Sequence, residues 1–169
     1  TTTLYSTLNI LERPDVNIVT IEDPIEYDMD NVNQAQVNSK AGITFASALR
    51  TILRQDPDVI MVGEIRDEDT VELAIRAALT GHLVFSTIHT NDAASGFTRL
   101  LNWDIEPFLI TSTVQGILAQ RLVRRICKEC IEPYKITEQD LLLAGLDPST
   151  NIEGFQGKGC LACRNTGYR

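Results

Sequence analysis

Three stretches of this sequence end an apolar or β-rich run with side chains that can do chemistry. Val16 to Ile21 runs into Glu22 and Asp23, with Glu26 just beyond. Asp58 to Gly63 runs into Glu64, Arg66 and Asp67, and Leu83 to Ile88 runs into His89, Thr90 and Asn91. One acid at the end of a strand is commonplace. Acid at one end, acid with arginine at a second and histidine at a third point to a shared cleft, because ligands of open α/β sheets sit beyond the carboxyl ends of the strands. Carboxylates placed there can hold Mg2+ through water and orient an attacking water. Arginines can neutralise charge that develops on a transferred phosphoryl group. These are parts of a nucleotide hydrolase.

The part not seen is a phosphate cradle, a glycine-rich loop of the form G-x-x-x-x-G-K-S/T between a strand and a helix. The chain opens instead on Thr1, Thr2 and Thr3, leading into an apolar-periodic stretch. That opening suits the residues just after the cradle's lysine. Thr1 would be the hydroxyl that binds Mg2+, and Thr2 would offer a second hydroxyl near the phosphates. Read alone, three threonines are an ordinary helix cap; the acidic strand ends downstream favour the phosphate reading.

Elements that could position these groups follow from periodicity. Leu4, Leu8 and Leu11 share one face of a helix over residues 1–12, ended ahead of Pro14. Residues 24–43 are polar, with Val32, Gln34, Gln36 and Val37 alternating, and read as an extended loop or a hairpin. Phe45, Ala48, Leu49 and Ile52 predict a helix over 44–54 that carries Arg50 and Arg54 four apart. The runs at 58–63 and 83–88 have the continuous apolar character of strands buried on both faces. Between them, Asp67 can cap a helix with Val71, Ala74, Ile75 and Ala78 as its core stripe, closed by Gly81. A further helix starts at Thr90 or Asn91, and Pro107 opens another that runs to about Gln120. Strands alternating with helices predict an α/β fold with a largely parallel sheet over residues 1–126.

The texture changes after Ile126. Cys127 and Cys130 form one C-x-x-C pair, Cys160 and Cys163 another, bracketing a short helical stretch from Thr137 to Ala144 and a glycine-rich segment. Four thiolates can close a tetrahedron about Zn2+, with Gly159 and Gly167 easing the second knuckle. A disulfide or free thiols are the alternatives. Residues 127–169 therefore read as a small tetracysteine subdomain held by structural zinc. It is too small to bury enough apolar surface alone. A net charge of −8 argues against broad binding to nucleic acid. The local basic patch of Arg121, Arg124, Arg125 and Lys128 reads as a solvated helix end. No apolar run approaches the roughly 20 residues that span a bilayer.

The longer motifs carry a resemblance. TIEDPIEY (20–27) resembles the aspartate box of the ATPases that drive type II secretion and type IV pilus assembly. LRQDPDVIMVGEIRD (53–67) resembles their Walker B region, and TGHLVFSTIHTNDA (80–93) their histidine box. The cysteine pairs resemble the zinc motif of the assembly and export branch, which retraction motors typically lack. The resemblance covers essentially the whole chain. It implies a RecA-like P-loop ATPase core working as a homo-hexamer, with ATP sites between subunits, at the cytoplasmic face of the inner membrane. An inner-membrane platform protein would be the partner.

On the resemblance, Glu64 is the water-activating glutamate, Glu22 and Asp23 are the acids near Mg2+, and Glu26 is a weaker member of that set. His82 and His89 are the histidine-box pair, with a structural hydrogen bond the alternative to γ-phosphate sensing for His82. Regular alternation would put the two on opposite faces of the strand. Arg50, Arg54 and Arg66 match family arginines, some reaching a neighbouring subunit. Gly63 stands where many P-loop enzymes place a metal-holding aspartate. The phosphate loop, its lysine and flanking domains are expected outside this chain, so it reads as a fragment inactive by itself. A RecA-like nucleic-acid motor and a non-catalytic zinc-held interaction module are the rival readings.

Overall fold

The computed structural model describes residues 1–169. They form two compact units, Thr1–Gln120 and Arg121–Arg169.

The first unit is built on a parallel four-stranded sheet. Its strands are β1 (Ile18–Glu22), β2 (Asn33–Gln36), β3 (Val59–Ile65) and β4 (Leu83–Ile88), in the order β2-β1-β3-β4. Ile21 of β1 lies beside Val62 of β3, so Glu22 comes level with Gly63 at the strands' carboxyl ends. Helices α1 (Thr2–Leu11), α2 (Phe45–Ile52), α3 (Glu68–Leu79), α4 (Ala93–Asn102) and α5 (Pro107–Thr113) complete the unit.

Strand alternation divides the side chains of β1 and β3 between two cores. Val19, Ile21, Ile60 and Val62 pack with Leu49 of α2 and Val71 and Ala74 of α3. Ile18, Val59 and Met61 face the other way, against Tyr5 and Leu8 of α1. Thr20 and Glu22 share the parity of Ile18, so they too stand on the side covered by α1. Local capping matches the pattern. Asp67 accepts from the Thr70 amide at 2.8 Å, and Thr44 and Ser47 close a reciprocal capping box at the start of α2.

The structure corrects four expectations. Residues 33–36 are neither loop nor hairpin arm but a strand parallel to β1, pairing Val19 with Asn33 and Glu22 with Gln36. The run NQAQ has little β propensity of its own. It is held by its ladder and by the Gln34 side chain, whose Oε1 accepts from the Met29 amide at 2.8 Å. Second, β4 is the edge strand of this sheet and is only partly buried, where burial on both faces was expected. Third, α4 is capped by Asp92, which accepts from the Ser95 amide at 2.7 Å, not by Thr90 or Asn91. Fourth, α5 stops at Thr113 rather than near Gln120, with Val114 already extended. The hydroxyls of Thr111, Ser112 and Thr113 bond back to the carbonyls of Phe108 and Leu109, a competition that weakens a helix end, and Gly116 follows. Arg121, Arg124 and Arg125 accordingly lie on no helix; the Arg124 guanidinium stacks on the Tyr168 ring at 4.3 Å.

The second unit pairs β5 (Ile131–Tyr134) with β6 (Gly154–Gly157) antiparallel, and α6 (Glu138–Leu143) lies between them in sequence. Reciprocal backbone bonds of 3.0 and 2.8 Å join Arg125 to Arg169, so the unit gathers residues ahead of its first cysteine. Gly157 passes so close to Gly167 that an added Cβ would fall 2.0 Å from the Gly167 carbonyl oxygen.

Leu49 is completely buried between α2 and the sheet. Leu49→Ala is expected to lower the unfolding free energy by about 2–5 kcal/mol. Leu79→Ala, at a site 55% exposed, should change it by less than about 0.5 kcal/mol. Denaturant unfolding followed by the fluorescence of Trp103, the sole tryptophan, separates the two.

Candidate functional site

Thr1, Glu22, Asp23, Glu26, Gly63, Glu64, Thr87 and His89 line one small pocket at the carboxyl ends of β1, β3 and β4, beside the start of α1. Three segments distant in sequence and a helix entrance thus converge. The volume, about 180 Å3, suits an ion and the end of a phosphate chain rather than a whole nucleotide.

Each element sets its own side chain. The β3–β4 register shifts between Val62 and Ile65, an irregularity of the kind that re-aims side chains beside active sites. Glu64 lies inside the shift. Its Oε1 accepts from Arg66 Nη2 at 2.5 Å, and its Oε2 stands 3.2 Å from His89 Nε2. Arg66 also reaches Asp23 at 3.7 Å, tying the second strand end to the first. The Thr87 hydroxyl donates to the Gly63 carbonyl at 2.7 Å. The hydrogen bond from Arg66 holds the Glu64 carboxyl below its ordinary range, burial opposes the shift, and the bond from His89 adds to it. Glu64 is therefore a carboxylate at neutral pH, suited to orienting water more than to storing a proton.

Glu22 is the buried acid, only 2% exposed. It accepts from the Tyr5 hydroxyl, from Thr20 Oγ1 at 2.6 Å and from Gln34 Nε2 at 3.1 Å. No basic side chain pairs with it. Of the four carboxylates around the pocket, Glu64 and Asp23 meet the Arg66 guanidinium and Glu64 also meets the His89 ring, so the donor set is oxygen-rich and acidic. That is the chemistry of a hard divalent cation such as Mg2+. Thr1 makes no side-chain cap bond to α1, and the first turn of that helix carries no acid. Its amides and hydroxyl suit an anion at the helix entrance.

The remaining candidates lie elsewhere. His82 is half-buried, with Nδ1 2.9 Å from the Ala77 carbonyl and 3.1 Å from the Thr80 hydroxyl at the end of α3, and it lines a separate, apolar cavity. Thr2, Arg50 and Arg54 are exposed on or just past their helices and do not line the acidic pocket. Sequence reasoning missed Tyr5, Thr20, Gln34 and Thr87. The signal for Thr20 was its parity with Glu22; nothing local marked the others.

In the second unit the four cysteine sulfurs lie within 4.8 Å of one another. Cys127–Cys160 and Cys130–Cys163 are separated by 3.9 Å and Cys160–Cys163 by 3.7 Å. A tetrahedron with arms of about 2.3 Å has edges of about 3.8 Å, so the sulfurs already have the spacing of a four-thiolate zinc site. These spacings are far beyond a disulfide bond, and all four thiols are free. Amides of Cys160 and Gly167 donate to Cys163 Sγ at 3.2 and 3.3 Å, support that favours a thiolate. Gly159 and Gly167 take positive φ on either side of the knuckle.

A parallel α/β sheet with acids, a histidine and a helix entrance gathered at its carboxyl end is the α/β, RecA-like core fold expected from the sequence. The chain belongs to the Type II/IV secretion system protein family, whose model matches residues 1–169. It is 53% identical to type II secretion system protein E of Pseudomonas aeruginosa over 100% of this chain and 34% of that protein. Identity to the type IV pilus assembly ATPase PilB of Myxococcus xanthus is 51%, over 100% of this chain and 30% of that one. The chain thus spans about a third of the length of these curated relatives. Among solved structures, the pilus retraction motor PilT with bound ADP superposes with a TM-score of 0.67 at 44% identity, covering 75% of this chain and 40% of that chain.

The Glu64–Arg66 pair predicts a pH dependence. A carboxyl whose folded pKa is depressed contributes stability above its unfolded value, here 4.5, and loses it as pH falls through the lower folded value. Arg66→Ala is expected to move the Glu64 titration upward, toward 4.5, read by carboxyl-carbon NMR. An unmoved titration would show that Arg66 does not govern this carboxylate.

Proposed function

We propose that this chain is the nucleotide-hydrolysing portion of a hexameric ATPase motor that powers type II protein secretion or type IV pilus assembly. The motor would work in the cytoplasm at the inner face of the inner membrane. The observation that carries the reading is the convergence of Glu22, Glu64 and His89 with Thr1 around one pocket. The family membership and the names of the relatives, a type II secretion protein and a pilus assembly ATPase, supply the biological setting.

Mg2+ would be held by the Thr1 hydroxyl and, through water, by Glu22 and Asp23, and when bound with ATP it would neutralise charge on the phosphates. Glu64 orients the attacking water, while Arg66 and His89 fix the carboxylate's direction. Glu26 borders the same pocket and adds to its negative potential. Thr2 offers a hydroxyl one residue on. Arg50 and Arg54, exposed and outside this chain's own acidic pocket, are suited to reach ATP on a neighbouring subunit of the hexamer. His82 couples the end of α3 to the start of β4 and would act at a distance from the phosphates. Zn2+ would be held by Cys127, Cys130, Cys160 and Cys163; four protein ligands leave no open position, so its role is structural. Force would pass to an inner-membrane platform protein through subunit movements. No helix here is long and apolar enough to cross a membrane, consistent with attachment through such a partner. The net charge of −8 disfavours the nucleic-acid motor.

In the full-length protein, Glu64→Gln should retain ATP binding while turnover falls by about 100-fold or more. Indifference to the substitution would favour a non-catalytic scaffold, and turnover stimulated by nucleic acid would favour the rival motor. The zinc assignment is separable. Elemental analysis should find one zinc per chain, lost on Cys163→Ser; a metal-free wild-type protein would refute it.

A further inference from the structure

Tyr5 is the group that joins α1 to the acid-bearing loop after β1. Its hydroxyl donates to Glu22 and accepts from the amides of Glu26 and Tyr27, at 3.2 and 3.3 Å. Its ring meets Tyr27 edge to face with centroids 5.2 Å apart, and it is only 8% exposed, packed in the core beneath α1. One phenol oxygen therefore engages three residues of a segment that contributes Glu22, Asp23 and Glu26 to the pocket. Tyr5 also sits one helical turn after Thr1, and its amide donates to the Thr1 carbonyl at 3.1 Å. Helix entrance and acidic loop are thus joined through a single side chain.

We infer that Tyr5 is a positioning residue for catalysis, acting through Glu22. It fixes the direction of the Glu22 carboxylate relative to Thr1, so that the oxygens at the entrance of α1 and at the end of β1 that would hold the cation, directly or through water, are kept at a set separation. The geometry carries this in two ways. First, Glu22 is held by three neutral donors and no cation, so its orientation depends on hydrogen bonds alone; of its three partners only Tyr5 belongs to α1. Second, the tyrosine oxygen is the acceptor for two consecutive loop amides, so its loss frees the loop as well as the carboxylate. Partners that orient a metal's ligands typically matter by about 10–100-fold in affinity or activity. The inference rests on the ATPase reading above.

Tyr5→Phe keeps the ring, its core packing and the contact with Tyr27, and removes only the hydroxyl. In the full-length protein it is expected to lower kcat about tenfold and to raise the half-saturating Mg2+ concentration about tenfold, while KM for ATP at saturating Mg2+ changes less than about threefold. In a Glu22→Gln background the same change should alter kcat by less than about twofold, because the residue it acts through has already been altered. Hydrogen exchange should show the Glu26 and Tyr27 amides losing protection in Tyr5→Phe; this readout needs no turnover. Unchanged kcat and Mg2+ requirement, additive effects of the two substitutions, or unaltered amide protection would each overturn the proposal. A variant that loses ATP binding and thermal stability together would overturn it as well, by making Tyr5 a folding residue only. If the wild-type protein shows neither ATP binding nor turnover, the motor reading itself fails and takes this inference with it. Wild-type turnover beside an unaffected Tyr5→Phe removes this inference alone.

Discussion

A carboxylate at the end of β1 is buried with no cation against it, and much of the first unit is arranged around that fact. Burying an acid side chain is costly unless its oxygens are hydrogen-bonded. Glu22 is met by a tyrosine from α1, a threonine two residues earlier on its own strand and a glutamine from β2. Three elements are therefore committed to one side chain. Gln34 justifies an otherwise unpromising strand. Its amide donates to Glu22 and to the Tyr27 carbonyl, and its oxygen accepts from the Met29 amide, so β2 and the loop before it are organised by the acid they surround. The same alternation that hides Val19 and Ile21 on one face delivers Thr20 and Glu22 to the other.

The second unit solves a different problem by a different route. It has two four-residue strands, a helix of six residues and few buried apolar side chains; Leu141 is the main one, with Leu142, Leu143, Phe155 and Leu161 substantially exposed. A unit of this size lacks the core to stabilise itself. Its order comes from backbone ties and from sulfur. The amides of Cys160 and Gly167 point at Cys163, and Gly157 and Gly167 bring their backbones together where no side chain fits. In this unit glycine and cysteine take the place that leucine and isoleucine have in the first.

What the sequence made legible follows from which interactions are local. The apolar runs of β1 and β3, the Asp67 cap and most of the stripe of α3 are written in consecutive residues and formed as read, except that Ala77 rather than Ala78 is the buried alanine of the last turn. The convergence of Glu22, Glu64 and His89 was legible because strand ends in a parallel sheet share one edge. Tyr5 was not, because in its own helix it is only one more apolar-face residue; its meaning lies in a hydroxyl that meets residues 17 to 22 positions away. The same holds for β2, whose polar run becomes a strand through partners outside it. The overlong α5 has the opposite cause. Hydrophobic spacing continued past Thr113, while local hydroxyl-to-carbonyl bonds and the extended Val114 ended the helix.

Gly63 links these arguments. Its position beside Glu22 means that a Cβ added there would lie 3.3 Å from the Ile21 carbonyl oxygen and 3.4 Å from the Glu22 Cα. A side chain at 63 would crowd the backbone of the strand end that carries the buried acid. An aspartate on β3 at that point and a glutamate packed at the end of β1 are alternative ways of supplying an acid to the same edge of the sheet. This chain takes the second. The choice has a structural consequence: an acid at the end of β1 lies within reach of α1 and of the neighbouring strand β2, and so can be oriented by both Tyr5 and Gln34, whereas β2 does not adjoin β3 in the sheet order. The absence of a side chain at residue 63 and the hydroxyl at residue 5 are thereby two halves of one arrangement. The first leaves room for the Glu22 strand end, and the second decides which way its carboxylate points.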